Sequence, residues 1–82
     1  MKENPVMEEK IFFKKLGQNI TRIRKSKKLT LIELASMCNF EKSNLIRIEK
    51  GRTSPTTKTL YKLAIALEVE VKDFFDFNTS PL

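Results

Sequence analysis

The chain has 82 residues, with 16 Lys and Arg against 10 Asp and Glu, a formal charge of +6 and no histidine. That length makes one small domain. One cysteine and two glycines leave no material for an internal disulfide, a four-ligand zinc site or a glycine-rich phosphate loop, so a non-catalytic protein without metal or cofactor is expected.

The cationic excess favours polyanionic partners. No apolar run approaches the roughly 18 residues of a membrane span, and no secretory stretch opens the chain, so the expected location is cytoplasmic with no membrane contact. Residues 1–9 are polar and read as a flexible lead-in, residues 10–77 as the folded domain, and residues 78–82 as a loose tail.

Phe12, Leu16, Ile20 and Ile23 recur at steps of four, four and three, which predicts a first helix over about residues 9–27 with one apolar face. Gly17 costs that helix roughly 1 kcal/mol relative to alanine, so its missing side chain is expected to admit a close neighbour. Residues 10–28 carry Lys10, Lys14, Lys15, Arg22, Arg24, Lys25, Lys27 and Lys28 and no acid. Residues 68–82 hold Glu68, Glu70, Asp73 and Asp76 against Lys72 alone. The basic stretch suits a phosphate-facing surface or, more simply, a solvated helix face.

Thr30 and Glu33 have the spacing of a capping box and predict the start of a second helix. Its core face is Leu34, Ala35 and Cys38, where the thiol acts as a small hydrophobe. Asn39 suits a left-handed turn. A third helix follows, with Phe40 placed as a staple on Leu45, Glu41 at the positive end of the dipole, and Leu45 and Ile48 buried. Gly51 ends it. Ser54, Pro55 and Thr56 form a loop and cap before a fourth helix marked by Leu60, Leu63, Ala64 and Leu67. Val69 to Phe77 can form a short fifth helix. The fold class is therefore all-α, a compact five-helix domain, and residues 29–52 read as two short helices joined by a tight turn that present Lys42, Ser43, Asn44 and Arg47 to DNA.

Leu16 to Phe75 resembles the lambda repressor and Cro family of helix-turn-helix proteins, also called the xenobiotic-response-element family. The carriers are Leu16-Gly17, Ile20 and Arg22-x-Arg24; Leu29-Thr30-x-x-Glu33-Leu34-Ala35; Leu45-x-Arg47-Ile48-Glu49-x-Gly51; Pro55; and Leu60-x-x-Leu63-Ala64-x-Ala66-Leu67. The size is similar to that of restriction-modification controller proteins and short phage repressors. The resemblance implies a transcriptional regulator that binds a palindromic operator as a homodimer through the major groove; with no ligand-sensing domain in the sequence, no small-molecule ligand is expected.

The resemblance also implies residue roles. Lys42, Ser43 and Arg47 fall where family members read bases, and Arg47 can donate twice to guanine, worth about 1–3 kcal/mol of discrimination; Lys42 serves either a base or a phosphate. Thr30, Asn44, Lys50, Arg52 and Ser54 suit phosphate oxygens. Arg24 and Glu49 correspond to a structural salt bridge between the first and third helices, whose loss on one side costs roughly 3–5 kcal/mol.

Three positions depart from the pattern. Leu31 stands where many members carry a phosphate-anchoring glutamine, and Glu41 where a serine or threonine is usual. Ile46 lies on a side of the third helix expected to be exposed, as a thymine-methyl contact, a partner surface or a tolerated apolar residue. Val69, Val71, Phe74, Phe75 and Phe77 are the candidate dimer interface, the other reading being that they close the core. An antitoxin with a toxin partner, or an adaptor with DNA binding secondary or lost, would share this fold.

Overall fold

A computed structural model describes residues 7–77. Residues 1–6 and 78–82, on which most of the expected lead-in and all of the expected tail fall, lie outside the described residues. Four α-helices follow one another: α1 (Glu9–Ser26), α2 (Leu31–Cys38), α3 (Lys42–Glu49) and α4 (Thr57–Leu67), and a 3₁₀ turn at Val71–Phe75 closes the domain. The expected fifth helix is thus a single short turn. Glu70 is extended ahead of it, the Glu70 amide donates to Asp73 Oδ2 at 3.0 Å, and five residues suffice to turn Phe74 inward.

The core is where the apolar periodicity put it, except at Phe12, which lies outside the buried cluster while Phe13 packs against it. Leu16, Ile20 and Ile23 of α1, Leu34, Ala35 and Cys38 of α2, Leu45 and Ile48 of α3, and Leu60, Leu63, Ala64 and Leu67 of α4 are buried together. Phe74 completes the cluster at 0% exposure. It is the largest of the fully buried side chains, so its expected place in a dimer interface is corrected: it closes the monomer, because a domain this small has few large side chains to fill its centre. The 3₁₀ turn is tied down from α1, where Asn19 Nδ2 donates to the Phe74 carbonyl at 2.9 Å.

All four helices stop in the same way. Lys28, Asn39, Gly51 and Glu68 have positive φ between 59° and 73°. In each case the residue after the left-handed one donates its amide to a carbonyl five residues back: Leu29 to Arg24, Phe40 to Ala35, Arg52 to Arg47 and Val69 to Ala64, at 2.8–3.2 Å. This double reversal satisfies the last carbonyls and swings the chain across the helix end. Leu29, Phe40 and Val69 then pack on the core, so three of the stops also deliver an apolar side chain.

Candidate nucleic-acid interface

The outer side of α3 forms from an eight-residue helix whose inner side is fixed by Leu45 and Ile48. Lys42, Ser43, Arg47 and Lys50 are exposed, and Asn44 is half-buried. Glu41 caps α3 with backbone alone: its carbonyl accepts the Leu45 amide at 3.2 Å, and its carboxylate makes no capping bond. That carboxylate stays exposed beside Lys42.

α2 begins as expected. Thr30 Oγ1 accepts the Glu33 amide at 3.1 Å, and Glu33 Oε1 accepts the Thr30 amide at 2.8 Å. The carboxylate thereby occupies the cap amide, while the hydroxyl proton of Thr30 remains available to an anion at the positive end of α2.

Behind α3 stands a buried ion pair. Arg24 Nε lies 2.8 Å from Glu49 Oε2 and Arg24 Nη2 3.0 Å from Glu49 Oε1, with the two side chains 9% and 6% exposed. Arg24 Nη1 donates to the Leu29 carbonyl at 2.8 Å, which adds the α1–α2 connection to the same clasp. Thr21, which its sequence context did not single out, lies with its hydroxyl 2.8 Å from Glu49 Oε1. A threonine one turn beyond Gly17 on the flank of α1 carries no signal until α3 is placed against it.

Gly17 explains how α1 comes so near. A Cβ there would stand 2.6 Å from the Ile48 carbonyl oxygen and closer still to that of Glu49, so α1 packs directly on the C-terminal backbone of α3. Gly51 is similarly constrained, with φ +73° and the backbone of Lys14 pressed against it.

Two clefts lie along α3 and the loop after it. One is lined by Lys25, Leu31, Ile46 and Lys50 with the Arg24–Glu49 clasp at its base; the other, between the start of α1 and the loop after α3, by Glu9, Lys10, Phe13, Arg52, Thr53 and Ser54. The first corrects the reading of Ile46 as exposed. It is half-buried, as is Leu31, and these two of the three positions that depart from the family pattern share one cleft. The basic stretch of α1 is likewise not one surface. Arg24 is buried, and Arg22 and Lys27 line a separate cleft with Asp73 and Asp76; Lys25 lines the cleft beside α3 and Lys10 the one at the loop that follows it.

A family profile for helix-turn-helix proteins matches residues 20–74. The chain belongs to this family. It is 43% identical over 56 residues to the immunity repressor protein of Bacillus phage phi105, an alignment covering 68% of this chain and 39% of the phage protein; the chain thus spans about two fifths of that relative's length. The fold superposes on the restriction-modification controller protein C.AhdI of Aeromonas hydrophila with a TM-score of 0.75, at 28% identity over 77% of this chain and 96% of that one. It also superposes on SinR, a master regulator for biofilm formation solved in complex with DNA, with a TM-score of 0.70 at 37% identity, covering 74% and 98% of the two chains. The chain accordingly has the lambda-repressor-like all-α fold of the helix-turn-helix class. No described helix is long and apolar enough to cross a membrane.

Proposed function

We propose that this protein is a DNA-binding transcriptional regulator that binds a palindromic operator as a homodimer, each subunit laying α3 in the major groove. The observation that carries the reading is the division of α3 into a buried side, Leu45 and Ile48, and an outer side bearing Lys42, Ser43 and Arg47. Those three side chains lie within about one and a half turns of the helix N-terminus, so they can reach neighbouring base edges together. Arg47, with its planar two-donor fork, is the residue assigned to guanine.

Register on the duplex comes from phosphate contacts. Thr30 offers its free hydroxyl proton at the α2 N-terminus, Asn44 lies half-buried on α3, and Lys50, Arg52 and Ser54 rim the two clefts. Leu31 has no polar side chain to add, so its backbone amide in the first turn of α2 is what faces an anion there. A lone α3 samples only a few base pairs, whereas a twofold dimer reads two half-sites about one helical turn, roughly 34 Å, apart. Val69, Val71, Phe75 and Phe77, with Phe74 removed from the set, are the residues proposed for that contact.

Selection of bound duplexes from a random pool tests the reading directly. The expected product is a palindrome with half-sites one turn apart, bound about a thousandfold more tightly than random duplex. Arg47→Ala is expected to relax preference at particular base pairs by roughly 1–3 kcal/mol, and Lys50→Ala to weaken all duplexes alike. Equal, sequence-blind losses from both variants would overturn the assignment of Arg47.

A further inference from the structure

An apolar groove on the far side of the domain plays no part in the reading above. Met37 at the end of α2 and Tyr61 and Ile65 on α4 are 56%, 61% and 60% exposed. With Ala66 they line a groove of about 590 Å3 whose rim carries Lys62 and Glu68. None of its lining residues belongs to α3 or to the two basic clefts. Tyr61 and Ile65 are four residues apart, so they stand one above the other on a single stripe of α4.

Glu68 is costly where it is. Its φ is +60°, a conformation that penalises a residue with a Cβ by roughly 1–2 kcal/mol. It also puts a carboxylate at the C-terminal end of α4, the end that favours cations. Glycine would relieve both burdens, so the residue is better explained by something its carboxylate meets.

We propose that this groove is a self-association surface on which the α4 of a second copy lies antiparallel, about a twofold axis at Ile65. The charges are arranged for it. Lys62 lies three residues before Ile65 and Glu68 three residues after, so the axis sets Lys62 against Glu68 of the partner subunit and Glu68 against Lys62 of the partner subunit. A parallel arrangement would oppose like charges. Ile65 meets its own copy at the axis, and the ring of Tyr61 closes over the apolar floor supplied by Met37 and Ala66. Such a contact is isologous, using one patch twice. It stands independently of the DNA reading and of the terminal segment proposed for the operator dimer; where both contacts form, they join dimers into larger assemblies.

Sedimentation of the full chain over a range of concentrations, without DNA, tests the contact apart from operator binding. Lys62→Glu and Glu68→Lys each set like charges face to face twice and are expected to weaken one association step about tenfold, while the double exchange restores it. Ile65→Asp is expected to abolish the same step. All three positions are exposed, and helicity by circular dichroism verifies that the variants fold. Association indifferent to all three variants, or a double exchange as weak as either single one, would overturn the proposal and leave the groove to a partner of different sequence.

Discussion

Gly17 shows how much of the placement of α3 rests on a single missing atom group. Replacement by alanine improves helix propensity by roughly 1 kcal/mol, yet the added Cβ meets main-chain carbonyl oxygens of α3 at 2.6 Å or less. Backbone cannot rotate aside as a side chain can, so overpacking is expected to prevail. Gly17→Ala should lower stability by about 1–3 kcal/mol in urea denaturation, and an unchanged or raised midpoint would show that α1 can slide away from α3. The close approach itself was legible, because glycine inside an otherwise regular helix asks for a neighbour. Which neighbour was not: the sequence holds no sign that the contact falls on Ile48 and Glu49. Thr21 and Asn19 stayed silent for a similar reason. Each is an ordinary polar residue of α1 whose meaning depends on an acceptor 28 or 55 positions further along the chain.

At the level of the elements, every α-helix was anticipated with its boundaries nearly correct, since each has three-and-four apolar spacing and two of the four starts carry threonine caps, Thr30 and Thr56. The stops divide into two kinds. Asn39 and Gly51 announce a left-handed residue by their chemistry, whereas Lys28 and Glu68 do not, although the same geometry is imposed on all four. What fixes it at Lys28 is the next residue, because Leu29 must return to the core. Relieving the strain there is expected to stabilise the domain: Lys28→Gly should add about 0.5–1 kcal/mol, after allowance for the greater freedom of glycine in the unfolded chain. A thermal midpoint below that of the parent would contradict the assigned conformation. The terminal segment was the least legible element. Its phenylalanines suited a core or an interface equally by composition, and only the packing separates Phe74, fully buried, from Phe75, at the surface against Phe12.

Across the whole molecule, net charge pointed to a polyanionic partner but gave a poor map of where the cations gather. The cations on α3 and in the two clefts come from four segments: Lys10 and Lys25 of α1, Lys42 and Arg47 of α3 itself, Lys50 just after it, and Arg52 of the following loop. Arg22 and Lys27, adjacent to them in sequence, stand among the acids of the C-terminal segment. On the proposed dimer, about four phosphate neutralisations per subunit, roughly eight in all, correspond to a slope of about −7 in log K against log salt concentration. Raising salt from about 50 to 200 mM is then expected to weaken operator binding by roughly four orders of magnitude. A slope near −2 in a titration followed by fluorescence anisotropy would mean that the two clefts do not touch the duplex.

The closeness of α1 to the end of α3 has one more consequence. Eight residues are too few to hold a helix in water unaided, so a synthetic peptide copied from residues 41–52 would possess each group proposed to face bases and none of their common orientation. The reading head is thus moulded by its mount. Damage to the mount, even at a position no nucleotide ever reaches, would blur the message as surely as altering the letters.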